Sequence, residues 1–405
     1  MIGNCPNGSP SGLPAACQGR VREVARLQWW VGQAGHPAAM IERFLAGYGL
    51  PVTDLSTLGI GPTATDPHTN AHGPGGVCGA ALLVSAAGGA AMIDAPVGAP
   101  SPAPAVPDVA VVVYEHAESP TRLITQSDRD LPDWRLGEWV PSWSSDDHAA
   151  AVETVRAAIA RGDVYQVNVV GHWAAPYEGD PRAALGRLAG LPGASYAGVL
   201  AGDGWAVGCA SPERLVAVAG GRVDTRPIKG TRPATAAGRT DLLASPKERA
   251  EHVMIVDLER NDLARVARTG SVRVEELFAI RRWCDLWQAE SVVAADLAPG
   301  VGLAELLRAV CPGGSVTGTP KRAALAAIAA LEPVGRGPAM GALGYLTAQR
   351  LDLGLTIRTV AVEAGTAHLW AGGGITWSSN PADEVAEAAA KAAPLRTALT
   401  PMPAP

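Results

Sequence analysis

The alternation of apolar and polar positions tightens from about Trp143 onward. "DDHAAAVETVRAAIARGD" carries apolar residues at helical spacing and predicts a helix closed by Gly162. "VYQVNVVGHW" predicts a strand, and "ERLVAVAGGRVDTRPI" a hairpin turning on Gly220 and Gly221. "TIRTVAVEAGTAHLWAGGGI" predicts a second hairpin of similar build. A helix is expected after each hairpin, which hints at pseudo-symmetry and makes the fold class α+β, with antiparallel sheets feeding helices that pack outside.

Two of these helices carry one device. In "SPKERAEHVMIVDLERNDLARVARTG", Ser245 is the expected N-cap, Pro246 the first helical residue, and Gly270 lies beyond the end. Glu248 and Glu251 share a face at i, i+3. In "NPADEVAEAAAKAAPL", Asn380 and Pro381 repeat the start, Glu384 and Glu387 repeat the pair, and Lys391 continues the face. Paired carboxylates without a His/Cys cluster suit a hard, oxygen-liganded cation such as Mg²⁺. Solvated glutamates are the alternative, and for Glu248 so is a capping box with Ser245.

Glycine-rich stretches precede helices twice. "CPGGSVTGTPK" leads into the helical run "RAALAAIAALEP", and "AGGGIT" leads into the second acidic helix. Backbone N–H groups at such places bind anions. Neither stretch has the spacing of a P-loop.

The N-terminal third is less informative. Residues 1–20 read as a loose tail and residues 21–140 as short strands and loops, with "GAPSPAPAVPD" a loop or linker. "GVCGAALLVSAAGGAAMI" is uncharged but broken by Gly-Gly, so two strands and a turn are expected rather than a membrane span. No signal-peptide core stands at the start.

The 405-residue chain is 47% hydrophobic and 18% charged, as a globular protein with a large core should be. A net charge of −6 without basic runs argues against nucleic acid and membrane surfaces as partners. An anionic substrate must therefore meet local cations. Six cysteines without a C-x-x-C pair signal neither zinc nor redox chemistry and suit a reducing cytoplasm.

"TRPIKGTRP" poses a sharper question. Prolines stiffen both flanks of Lys229, and Gly230 permits a turn or a close approach. Lys229 is either a solvated lysine at a strand end or a nucleophile whose pKa is lowered by cationic neighbours such as Arg226 and Arg232.

Taken in order, "GDVYQVN", "ASPERL", "TRPIKGTRP", "AEHVMIVDLERNDLARV", "PGGSVTGTPKRAA", "GALGYL", "TIRT" and "GGGI" resemble the chorismate-utilising enzymes. The resemblance spans roughly residues 143–395, with a catalytic core expected over 141–400. It implies two antiparallel sheets stacked in the middle of the fold with helices outside, and Mg²⁺ as cofactor. It places the metal carboxylates at Glu251 and Glu387, with Glu248 and Glu384 close by. Thr317, Tyr345, Arg358, Lys391 and the Gly372, Gly373 and Gly374 backbone match the family's substrate-carboxylate contacts. Glu213 matches its general acid, although a strand-edge glutamate paired with Arg214 is the plainer reading.

Lys229 stands where anthranilate-forming members carry a small residue. Gln166 replaces the water-activating lysine of isochorismate-type members. The resemblance thus points to amination of chorismate at C4, with Lys229 adding at C2. Departures are Ala388, usually threonine, and Gln288, usually histidine, with Ser291 retained. The alternatives are C2 amination, with or without pyruvate loss, and a weakly active subunit that mainly binds an amidotransferase. No glutaminase-type cysteine elbow is present, so ammonia from a separate glutamine amidotransferase is implied.

Overall fold

The computed structural model describes residues 21–60, 76–116 and 134–401. The expected tail over 1–20 lies outside them.

Two antiparallel sheets form the centre. The larger has ten strands and runs, in spatial order, Val21–Trp29, Val109–His116, Val77–Val84, Ala342–Leu346, Leu351–Leu355, Arg214–Ala219, Arg222–Arg226, Leu286–Asp296 and Ile228–Pro233. Its tenth strand, Arg273–Trp283, also pairs with Leu286–Asp296. The smaller sheet has eight. Its main path runs Gly318–Thr319, Gln166–Glu178, Thr366–Ile375, Thr359–Glu363, Trp205–Ser211 and Tyr196–Gly202. One apolar core joins the two, since Leu83, Val111, Val216 and Leu353 of the larger sheet cluster with Val170, Val207, Ala361 and Trp370 of the smaller. On the smaller sheet's other face, Leu185, Leu188, Leu395 and Leu399 bring two helices onto Ala206, Val360 and Leu369.

The local expectations have visible causes. The helix Ser145–Arg161 opens on a capping box between Ser144 and Asp147 and closes at Gly162 with φ 81°. The first hairpin turns on Gly220 and Gly221 at φ 60° and 75°, the left-handed pair that a two-residue turn requires. The second turns on Ala364 and Gly365.

One expectation fails. "GVCGAALLVSAAGGAAMI" is not two strands and a turn but the strand Val77–Val84 followed by the helix Ala86–Met92. Ser85 caps that helix by accepting from Gly88 N–H. The glycines serve close approach instead of a turn. A Cβ on Gly88 would lie 2.6 Å from Asp108 O, and one on Gly89 3.2 Å from Pro312 N. Among the described residues no helix is long and apolar enough to cross a membrane.

A buried ion pair ties the helix end after Leu331 to both sheets' seam. Arg336 donates to both Glu332 carboxylate oxygens at 2.8 and 2.6 Å, to Val316 O at 2.6 Å and to Asn168 O at 2.9 Å. Glu332 in turn accepts from Val170 N–H at 3.0 Å. Arg336→Ala leaves the buried Glu332 carboxylate without its cation and takes a donor from two carbonyls. It should lower unfolding stability by roughly 3–5 kcal/mol, read as a shifted denaturation midpoint.

Candidate active site

The cleft sits where the chain crosses between sheets. Glu213 follows Ser211, the last residue of a strand in the smaller sheet, and precedes Arg214, the first of a strand in the larger. Arg358 sits on the reverse crossing, between Leu351–Leu355 and Thr359–Glu363, at φ 55°. Lys229 projects from the edge strand Ile228–Pro233, where Gly230 at φ 75° interrupts the register with Leu286–Asp296. Each residue thus owes its place to an irregularity, because a regular strand would point its neighbours to alternate faces.

Sequence-predicted residues that line this cleft are Glu213, Lys229, Glu248, Glu251, Arg358, Gly372, Gly373, Gly374, Glu384, Glu387 and Lys391. Thr317 and Tyr345 are not among its lining. Thr317 is buried, donates to Gly313 O at 2.8 Å, and borders a second cavity. Tyr345 lies in the Ala342–Leu346 strand and belongs to the main core.

The turn Gly313–Val316 organises the reactive groups. Lys229 Nζ donates to Ser315 O at 3.0 Å, and Ser315 Oγ donates to Glu213 Oε1 at 2.5 Å. Desolvation lowers the Lys229 amine, and Lys391 adds to this against the pull of Glu213. Burial raises the Glu213 carboxyl, despite Ser315, Lys229 and Arg358. Both shifts favour neutral forms, an amine beside a carboxylic acid.

The arginines flanking Lys229 turn elsewhere. Arg226 pairs with Asp224 at 3.4 Å, and Arg232 pairs with Glu248 at 2.9 Å and with Asp241. The cationic neighbour of Lys229 is Lys391, 162 positions away in the chain. Glu213 is not paired with Arg214 either, since that guanidinium binds Asp224 at 2.6 Å and Asp352 at 3.4 Å.

The acidic helices, Pro246–Ala264 and Pro381–Leu399, meet the cleft from outside. Ser245 accepts from Glu248 N–H, but the Glu248 carboxylate pairs with Arg232 and so reaches the cleft wall. Glu251 accepts from Thr376 Oγ1 at 2.7 Å and lies 3.8 Å from Lys247. Burial holds Glu251 above its usual range, and burial with Glu387 lifts Glu384 to about 6. Burial would raise Glu387 too, yet Lys391, at 2.6 Å, wins and its pKa falls. Lys391 also donates to Gly372 O at 2.9 Å.

Among the described residues no three such side chains form a ready-made metal cage. The wall still fits a hard divalent cation by its oxygen-only donors and by the carboxyls of Glu251 and Glu384, which burial keeps raised.

Arg358 is buried, with its guanidinium 3.7 Å over the Trp283 ring and Nη1 donating to Gln288 Oε1 at 3.4 Å. Its Nε has no hydrogen-bond partner among the described residues. Burial lowers it to about 10, so it stays cationic at neutral pH and is available to an anion. Ser291 Oγ is committed, hydrogen-bonded to His252 Nε2 and accepting from Phe278 N–H at 2.9 Å. Ala388 is fully enclosed.

Sequence reading passed over Ser315, Thr376, Lys247, Asn168 and Trp283. Ser315 and Thr376 sit inside stretches already quoted as glycine-rich loops, but nothing local marks their hydroxyls as holding Glu213 and Glu251. Trp283 contributes through a ring face that no motif announces.

The chain belongs to the chorismate-binding enzymes: the family model described as "chorismate binding enzyme" matches residues 109–397. Among its relatives is aminodeoxychorismate synthase component 1 of Klebsiella aerogenes, 37% identical over 70% of this chain and 68% of that protein. Anthranilate synthase component 1 of Streptomyces coelicolor is 38% identical over 64% of this chain and 53% of that protein. In fold the chain is similar to anthranilate synthase component I from Streptococcus pneumoniae, with a TM-score of 0.72 and 24% identity over 93% of this chain and 92% of that one. The protein is a chorismate-utilising enzyme.

Clearance at Gly374 gives a direct test of the site's geometry. A Cβ there would lie 2.0 Å from Gln166 Nε2 and 3.0 Å from Lys229 Nζ. Gly374→Ala should cut turnover of chorismate by about 100-fold with the far-UV circular dichroism spectrum unchanged. Wild-type turnover would show that Lys229 needs no such clearance.

Proposed function

We propose that this enzyme replaces the C4 hydroxyl of chorismate with ammonia, giving 4-amino-4-deoxychorismate, with Lys229 as covalent nucleophile. The observation that carries this reading is the Lys229 amine in the cleft, lowered in pKa and linked to the buried acid Glu213 through Ser315. Similarity to aminodeoxychorismate synthases supports it.

The chemistry explains why an amine is needed. Attack at C2 of the conjugated ring expels the C4 hydroxyl with an allylic shift. Ammonia attacking there directly leaves nitrogen at C2. Lys229 instead forms the C2–N bond while C4–O breaks and Glu213 protonates the departing hydroxyl to water. Ammonia then bonds to C4, the double bond shifts back, and the Lys229 amine leaves C2. The sum is chorismate plus ammonia to aminodeoxychorismate plus water.

Arg358 and Lys391 supply cationic groups for the substrate's carboxylates. Mg²⁺ held by Glu251 and Glu387, with Glu248 and Glu384, would neutralise the ring carboxylate. The relatives' designation as component 1 motivates a separate partner, which we take to be a glutamine amidotransferase supplying ammonia.

The comparable identity to anthranilate synthases favours a second reading, amination at C2. Product regiochemistry separates the two. With chorismate, Mg²⁺ and ammonium, Lys229→Ala should lose C4 amination by orders of magnitude, and Lys229→Arg should do no better because a guanidinium stays protonated. Without ammonia, mass spectrometry of the wild type should find chorismate-derived mass on the peptide bearing Lys229. Near-normal aminodeoxychorismate formation by Lys229→Ala would end the covalent mechanism.

EDTA should abolish turnover, and Glu251→Gln or Glu387→Gln should reduce it by orders of magnitude. Unchanged turnover in EDTA would remove the metal from the proposal.

A further inference from the structure

Glu259 is a buried acid that the chemistry above does not use. It lies eight residues beyond Glu251 on the same helix and is 2% exposed. Its Oε1 accepts from Gly314 N–H at 3.1 Å, while Oε2 is buried with no hydrogen-bond partner among the described residues. Gly314 is the neighbour of Ser315, which accepts from Lys229 and donates to Glu213. A short relay therefore runs from Glu259 through one turn to both reactive side chains. Gly314 has no room to retreat toward the helix: a Cβ there would lie 2.6 Å from Leu258 Cδ2 and 3.0 Å from Glu259 Oε1.

We infer that Glu259 is a positioning residue that anchors the Gly313–Val316 turn through Gly314 N–H and thereby holds Lys229 and Glu213 in register. The charged and titratable groups around it come from several elements. Asp262 lies on its own helix, Lys321 on the helix Lys321–Leu331, Glu213 at the sheet crossing, and Cys311 at the C-terminal cap of the helix Leu303–Val310. Lys321 is spent on Asp262, at 2.6 Å. Burial first, and Asp262 second, lift Glu259 to about 8.

Burial and Asp262 thus favour the neutral form of Glu259, whose ionisation is displaced upward toward about 8. Ionisation strengthens the bond from Gly314 N–H, but Lys321, the cation nearest that charge among the described residues, is already paired with Asp262, so the buried charge draws water toward the turn and displaces it. Turnover should fall through that step.

Glu259→Gln retains an acceptor and cannot ionise. It should keep most of the wild-type kcat at pH 7 and lose the step near pH 8. Glu259→Leu removes the acceptor. Its kcat should fall about tenfold, the scale of one lost buried hydrogen bond, with the chorismate KM within about twofold.

A Gln variant that keeps the step near pH 8 overturns the inference, as does a Leu variant with wild-type kcat. Equal losses in both variants that follow only the thermal midpoint also overturn it. If the Leu variant does not fold, the pH profile of the Gln variant decides alone. The inference rests on Lys229 and Glu213 being the working pair. Failure of that reading shows as a fully active Lys229→Ala, whereas failure of this one shows as a fully active Glu259→Leu beside an inactive Lys229→Ala.

Discussion

An amine and a carboxylic acid held by the two ends of one serine set the terms for everything around them. Ser315 offers its carbonyl to Lys229 and its hydroxyl to Glu213. In water such a pair would be an ammonium and a carboxylate. Desolvation penalises both charges, and the shifts of the two groups run toward each other. A poor dielectric thus moves both groups toward the forms that nucleophilic addition and departure of a hydroxyl need. The rest of the cleft must be built without flooding it.

The stacked sheets meet that requirement at their seam. Glu213 and Arg358 lie on the two crossings between sheets, where chain direction and face change together. Their side chains point into the narrow space the sheets share, which apolar side chains from both close from behind. Trp283 covers one face of the Arg358 guanidinium, so that cation keeps its charge while losing water. Gln288 contributes a weakly polar contact to Arg358 at the place where relatives were expected to carry histidine.

Charge is divided between walls. The helices outside bring carboxylates to one side, and Lys391 neutralises only Glu387 of them. Glu251 and Glu384 remain raised, so the wall is under electrostatic tension. Gly373 leaves the facing strand room for these groups to approach, as Gly374 does for Gln166 and Lys229. A Cβ on Gly373 would already stand 3.1 Å from Glu384 Oε2.

Periodicity and capping chemistry act over a few residues, and these features were legible without the structure: the helix from Ser145 to its glycine stop, the Gly-Gly hairpin, and the paired glutamates on capped helices. Most residues picked out by motif order line the cleft, although Thr317 borders a second cavity and Tyr345 belongs to the main core. Gly88 and Gly89 misled because a glycine needed for close packing looks, in sequence, like a glycine needed for a turn. Whether the flanking arginines face Lys229 stayed open in the sequence, since Arg226 ends one strand and Gly230 breaks the register before Arg232, and each arginine found its own carboxylates. The sequence by itself determined the local elements, the acidic and glycine-rich inventory, and the family. Only the tertiary structure decided which cation lies near Lys229, which hydroxyl holds Glu213, and that Glu259 is buried behind them. Those relations join residues tens to more than a hundred positions apart, and desolvation, which sets their protonation, exists only once the sheets have closed.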